Sequence, residues 1–447
     1  MLGESRLREI AEAVLSAARA EQTEVVITTE DEALTRFAAN GIHQNVAQVQ
    51  TEVRVRSVLG KRIGVATAND PSDAALADLV RNAETTAGFQ QENPDFRSLP
   101  EPQAAPTVEA YCEATARTTP EERADGVAAI VRRAKANGLQ ASGAFSTAAS
   151  ELFVANSLGV RAYHRWTGAS VMSVVMGESG SGYAADTARD VGDVDPDQVG
   201  RIAVDKAVRS ANPQPIEPGE YTVILEEAAV ANMVFYLSYL GFGAQAFQEG
   251  RSFLCGRLGE KITGDAITIR DDGLDPEGLP LPFDFEGVPR QRLTLIERGV
   301  GRAVAYDSLT AGKEGKASTG HALAAPNSFG PVPIHLFMES GSATIEEMIA
   351  STERGIWVTR FHYTNPVHPV KTILTGMTRD GTFLIEDGVV TQPLKNLRFT
   401  QSILGAFENV EALGRTSKRV RAGFGDIVTC APAAKIGGFR FTGATEF

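Results

Sequence analysis

Residues 223–241 read VILEEAAVANMVFYLSYLG. Two adjacent carboxylates, Glu226 and Glu227, stand at the mouth of a run that is otherwise almost wholly apolar. A helix that is apolar on every side belongs in a core. The charged pair therefore has two readings. One is a metal or acid/base site. The other is a helix start, where acids in the first turn meet the positive end of the helix dipole, worth about 0.3–1 kcal/mol.

The chain changes character around this segment. After it come Gly-rich loops and many short strands. Residues 378–399, TRDGTFLIEDGVVTQPLKNLRF, hold Asp380-Gly381 and Asp387-Gly388, each a hairpin signal between apolar runs. GGFRFTG, 437–443, reads as a final strand. The expectation for 218–447 is a β-rich C-terminal domain with a large, mostly antiparallel sheet, closed or strongly curved.

Before it, Leu7, Ile10, Val14, Leu15 and Ala18 recur at helical spacing. TEVVITTED (23–31) reads as a strand, and Asn40-Gly41 as a tight turn between strands. In the next strands Val53, Val55 and Val58 are expected on one face, Arg54 and Arg56 on the other. A helix follows at DPSDAALADLVRNAETTAG (70–88), with Asp70 or Ser72 near its cap. Residues 90–108 carry four prolines and little periodicity, so they read as a linker or a surface crossing. Two further helices, PEERADGVAAIVRRAKANG (120–138) and DPDQVGRIAVDKAVRSANP (195–213), enclose strand-like sequence. The fold class is α+β. An N-terminal unit spans 1–90 and a central unit 109–214, separate or merged, with helices on mixed sheets; the β-rich domain follows.

Composition bounds the function. The 447 residues are 43% hydrophobic and 22% charged, which is ordinary globular composition. The net charge is -13, and no dense basic patch offers itself to nucleic acid. RTSKRV (415–420) is short and reads as a solvated loop or strand. Cys112, Cys255 and Cys430 are far apart and form no CxxC, which suits reduced thiols in the cytoplasm. The N-terminal segment lacks a signal peptide's continuous apolar stretch, and no run approaches a membrane span.

Other motifs fall away. GKEGKAS (312–318) has Thr310 and Ala317 where a phosphate loop needs Gly and Ser or Thr, so a surface loop is expected. GSGYAA (180–185) lacks the context of a dinucleotide fingerprint and reads as a glycine-rich turn. No GxSxG elbow occurs. Of six histidines only His362 and His368, in FHYTNPVHPV, lie close together, with Pro366 and Pro369 making the piece extended or irregular. A zinc site wants three or four ligands, and spacing shows no third. On the opening helix, a zinc-peptidase pattern needs two histidines on one face with a glutamate beside the first. Glu227 could serve as that base, but Glu226, Val230 and Ala231 stand where the histidines are needed.

Several segments, in order, carry a resemblance. They are VRVRSVLGKRIGVATAND (53–70), PGEYTVILEEAAVANMV (218–234), QEGRSFLCGRLGEKI (248–262) and FDFEGVPRQRLTLIERGV (283–300). DSLTAGKEGKASTGHA (307–322), RGIWVTRF (354–361) and TRDGTFLIEDGVVTQPLKNLRFT (378–400) complete the set. Together they resemble the TldD/PmbA family, long labelled modulators of DNA gyrase and related to peptidases. The resemblance implies that metal-bearing members carry HExxxH on this helix, with a cysteine near the C-terminus completing a zinc site. Glu226 then replaces the first histidine, Ala231 the second, and Glu227 alone matches as the base. Cys430 falls in the cysteine's general region but close to the last strand. The resemblance thus points to the metal-less, PmbA- or TldE-like type. It implies no cofactor on this chain and zinc on a TldD-like partner. The complex would act on unfolded peptides or precursor leaders. Two alternatives stay open: an autonomous hydrolase using Glu227, His362 or His368, and a non-enzymatic peptide-binding or regulatory homodimer.

Overall fold

The computed structural model describes residues 1–421 and 427–444. The first half builds one sheet from β1 (Gln22–Ala38), β2 (Gly41–Leu59), β3 (Arg62–Ala68), β4 (Gln140–Asn156), β5 (Arg161–Met176) and β6 (Ser181–Ala188). Their order is β3-β2-β1-β4-β5-β6. Every pairing is antiparallel, so the mixed sheets expected here narrow to a single antiparallel one. The 1–90 and 109–214 segments are joined through the β1–β4 ladder.

Helices α1 (Glu4–Ala17), α2 (Asp73–Phe89), α3 (Glu113–Ala116), α4 (Pro120–Ala136) and α5 (Pro196–Arg209) accompany this sheet. Strand alternation decides which residues they cover. Phe153 and Ala155 of β4 pack with α1 and α2, while Ala141 and Phe145 on the same face pack with α4 and α5. Local chemistry sets the helix starts. Thr119 and Glu122 close a reciprocal capping box at α4, and Asp195 caps α5 ahead of Pro196. The β1–β2 turn is tight as expected, but its central residues are Ala39 and Asn40, both at positive φ, with Ala38 opposite Gly41. Val53 and Val55 do share the core face. Val58 does not: strand parity turns it to the opposite face, against Phe96 and Leu99.

The second half comprises β7 (Glu220–Leu225), α6 (Glu227–Leu237), α7 (Ala244–Gln248), β8 (Ile269–Asp271), β9 (Leu293–Glu297) and β10 (Val300–Gly301). Then come α8 (Ser308–Glu314), β11 (His335–Met338), α9 (Ile345–Ala350), β12 (Arg354–His368) and β13 (Ile373–Glu386). It ends with β14 (Val389–Pro393), β15 (Leu397–Ser402), α10 (Ile403–Glu408), β16 (Val410–Arg421) and β17 (Val428–Ala444). These strands form one 11-stranded sheet. It is mostly antiparallel, with β7–β12 and β11–β17 parallel. The path β7-β12-β13-β15-β17 returns to β7, so this part closes on itself. Helix α6 packs against that closed part, with Ala229, Val230, Ala231, Val234 and Leu237 essentially inaccessible to solvent.

Three further expectations change. Asp387-Gly388 turns the β13–β14 hairpin, but Asp380-Gly381 lies inside β13. Both residues take positive φ, and the β12 register shifts between Val358 and Arg360. This is a bulge, not a hairpin. GKEGKAS is not a simple loop, since α8 runs through Glu314 and ends on Gly315 in a left-handed cap, φ 67°. From Ser181 on, GSGYAA belongs to strand β6 rather than to a turn. Its Gly182 is required because a Cβ there would lie 2.1 Å from the Ala203 carbonyl of α5. The free face of the N-terminal sheet meets the second half where Val26, Leu152 and Val154 pack on Leu281 and Phe283.

Candidate functional site

Strand β7 delivers Glu226 to the N-cap position of α6. Its backbone N–H donates to the Val358 carbonyl at 3.0 Å, and its own carbonyl accepts from Ala229 and Val230. Its side chain makes no cap hydrogen bond. Instead it turns toward α5, where Lys206 Nζ lies 2.6 Å from Glu226 Oε2. Both residues are buried, at 8% and 6% exposed. Glu226 Oε1 has no hydrogen-bond partner among the described residues. Lys206 reaches this point because it sits on the buried face of α5 with Ala203 and Ala207.

Glu227, the first residue of α6, is also buried. Its Oε2 accepts from Lys418 Nζ of β16 at 3.2 Å. The Lys418 side chain is 54% exposed, and the nearby carboxylates of Glu227 and Glu226 outweigh its partial desolvation and raise its pKa. RTSKRV lies in strand β16 and is largely exposed, as its solvated-strand reading expected, and its Lys418 reaches the site. The two carboxylates and two ammoniums share a pocket of about 290 Å³ with Arg419, Met172 and Ile202. It lies between β5, β6 and α5 on one side and α6 and β16 on the other.

The donor set does not fit a metal. Lys206 places an ammonium against Glu226, where a ligand would have to face a cation. Ala231 carries no donor and is fully buried among apolar side chains. Cys430 lies in β17 with its Sγ 3.7 Å from the Glu277 carbonyl. Burial pushes its thiol up to about 12. Ala434, rather than Cys430, lies alongside Leu225 at the approach to α6. Among the described residues no group of three His, Cys, Asp or Glu could hold a metal ion.

His362 and His368 are not brought together either. Both lie on β12, opposite Met377 and Ile373 respectively. At about 3.4 Å per residue those positions are roughly 14 Å apart. His362 Nδ1 lies 3.4 Å from Arg379 Nη1, and burial followed by the charges of Arg379 and Arg360 lowers its pKa. His368 is exposed, accepting the Lys371 N–H at 3.4 Å.

Sequence reasoning missed the lysine partners. Their one local signal was Lys206 falling at helical spacing from apolar residues, in a position that should be a core position. It also missed a buried polar cluster. Asp271 accepts from His321 Nε2 at 2.9 Å and from the His335 N–H at 2.7 Å. Burial opposes its charge, yet His321 holds it well below the usual carboxylate range. Burial and the adjacent Arg290 push His335 down to about 3. His335 also lines a cleft of about 710 Å³ between the free face of the N-terminal sheet and residues 279–285, walled by Glu30, Glu32 and Glu52.

The same architecture occurs in solved structures. TldE from Thermococcus kodakarensis superposes with a TM-score of 0.89 at 20% identity, covering 98% of this chain and 100% of that one. A Thermotoga maritima protein named for DNA gyrase modulation gives 0.87 at 18% identity, with 98% and 100% covered. Among curated proteins, a metalloprotease of Methanothermobacter thermautotrophicus is 28% identical over 226 residues, 49% of this chain and 48% of that one. The chain spans about half or less of the first relatives it matches. The metalloprotease PmbA of Escherichia coli O157:H7 is 23% identical over 373 residues, 79% of this chain and 78% of its own. Family models for the PmbA/TldA metallopeptidase match in chain order: domain 1 at residues 23–87, the central domain at 111–211 and the C-terminal domain at 218–443. With all three domains present in sequence and a matching fold, the chain belongs to the PmbA/TldA metallopeptidase family, the TldD/PmbA family it resembled in sequence.

Proposed function

We propose that this chain is a non-catalytic subunit of a TldD/TldE-type peptidase, acting with a metal-bearing homologue on unfolded peptides or precursor leaders. The observation that carries the reading is the buried Lys206–Glu226 pair at the mouth of α6. An ammonium 2.6 Å from the carboxylate supplies the positive charge at the position where the family's first ligand would face a metal. Glu227 keeps the base position, but Lys418 holds its carboxylate at 3.2 Å. Peptide contact is assigned to the 710 Å³ cleft, which borders a sheet face and is large enough for an extended segment. The free cysteines suit a cytoplasmic setting, and among the described residues no helix is long and apolar enough to cross a membrane.

The test is reconstitution. The chain alone should leave unfolded peptides intact. Adding a metal-bearing homologue from the same cell should give a co-migrating complex whose peptide cleavage exceeds that of the homologue alone. Cleavage by this chain alone, lost in Glu227→Gln, would show an autonomous hydrolase. Peptide binding with no cleavage in any mixture would leave a binding protein instead.

A further inference from the structure

Two buried polar atoms at the mouth of α6 lack partners among the described residues. Glu226 Oε1 is one, and the other is Thr359 Oγ1 of β12, a residue 1% exposed. Both residues line the 290 Å³ pocket. Buried polar groups are nearly always hydrogen-bonded, so two orphans on one cavity call for a ligand group. A carboxylate oxygen only accepts, and a hydroxyl can accept as well as donate. The group that serves both is a donor with several hydrogens, and beside a carboxylate a charged donor bonds most strongly. A primary ammonium meets this description. Lys206 does not fill the place, because it reaches Oε2 of Glu226. Nor does Lys418, which holds Oε2 of Glu227.

The rest of the wall asks for the opposite charge. Lys206 and Lys418 are matched by Glu226 and Glu227. Arg419 also lines the pocket, and among the described residues it makes no ion pair and no side-chain hydrogen bond. Its planar guanidinium suits a carboxylate, which it can hold through two parallel hydrogen bonds. Alongside these groups Met172, Ala185, Ile202 and Val420 offer apolar surface. Ligand sites run from about 300 to 1,000 Å³, so a pocket of about 290 Å³ suits a small molecule and not a length of chain.

We infer that this pocket binds a free α-amino acid with an apolar side chain. The ammonium donates to Glu226 Oε1 and Thr359 Oγ1, the carboxylate accepts from Arg419, and the side chain lies against Met172, Ile202 and Val420. Lys206 fixes the Glu226 carboxylate with one oxygen left over. Peptide hydrolysis is the class of reaction that supplies such a ligand. Gly168 lines the larger cleft and Ser170 the pocket, two positions apart on one face of β5, and Arg421 lines both, so the cavities adjoin. That supply rests on the peptide reading of the cleft; the binding itself does not.

Isothermal titration of the full chain with L-leucine tests the inference, with N-acetyl-leucine and leucinamide probing each end. Leucine should bind one per chain with a Kd of about 1 mM or tighter. Both blocked forms should bind about tenfold more weakly or worse, because each leaves a polar group of the pocket unmet. Thr359→Val keeps the side-chain shape and removes its hydroxyl, and Arg419→Met removes the guanidinium. Each should weaken leucine binding by about tenfold, with thermal melts confirming a folded chain. Val389→Lys, exposed on β14, should leave binding unchanged. No saturable leucine binding leaves the orphaned atoms to water and overturns the inference. Equal affinity for leucinamide overturns it too, since a simple amine is then the ligand, and equal affinity for N-acetyl-leucine does so by showing a simple carboxylate. These readouts use this chain alone, so their failure is distinct from failure of the reconstituted cleavage.

Discussion

Glu226 and Lys206 meet at 2.6 Å with both side chains out of solvent, and their energetics follow from that. Burying either charge alone is costly, while the pair together is close to neutral against an apolar replacement. Lys206→Ala should therefore lower unfolding free energy by about 3–5 kcal/mol. Lys206→Met with Glu226→Leu should recover most of that loss, and urea titration checks both. A second buried site responds to pH. Arg56 stands between Glu24 and Glu286, at 3.1 Å from Glu286. Burial pushes Glu24 up to about 7, with the neighbouring Glu286 adding to it against the pull of Arg56. A carboxyl raised in the folded state favours the fold below its ordinary pKa, and that contribution fades as pH rises toward 7. Glu24→Gln, which mimics the protonated form, should thus compare better with wild type at pH 8 than at pH 5 in thermal melts. Glu226 and Glu227 were conspicuous in the sequence as charges beside an apolar run. Their partners were not. Lys206 and Lys418 lie in other segments of the chain, and only the packing of α5 and β16 on α6 brings them in.

Elements were legible where periodicity or capping chemistry acts locally. The helices at 73–89, 120–136 and 196–209 follow from apolar spacing with Ser, Thr or Asp and Pro at their starts. The long hairpin follows from alternation and its turn residues. Asp380-Gly381 shows the limit. The same dipeptide that turns a chain also makes a bulge, and only the partner strand decides which. Here Thr359 of β12 lies opposite, 2.6 Å from where a Cβ on Gly381 would sit, and φ is 123°. Gly381→Ala should destabilise by about 1–3 kcal/mol through that strained backbone and close approach, measured against an exposed control such as Gly88→Ala. GSGYAA misled for a related reason. Its glycine admits a helix rather than turning the chain, and local sequence does not distinguish the two uses.

At the scale of the whole molecule, fold class and the β-rich second half were readable from turn density and strand-like alternation. Whether the first two units stay separate or merge was left open, because the β1–β4 ladder that joins them pairs residues more than a hundred positions apart. Closure of the second sheet likewise depends on β17 meeting both β7 and β15, a pairing no local pattern announces. These long-range pairings place α5 and β16 on either side of α6, and so put a lysine on each carboxylate. Two ammonium groups, in place of a metal, face the carboxylates of this site. Elemental analysis tests this directly, on the chain purified without chelator, saturated with zinc and dialysed. Zinc should stay far below one ion per chain, unchanged in Glu226→Ala and Glu227→Ala. One zinc per chain, lost in either variant, would contradict it.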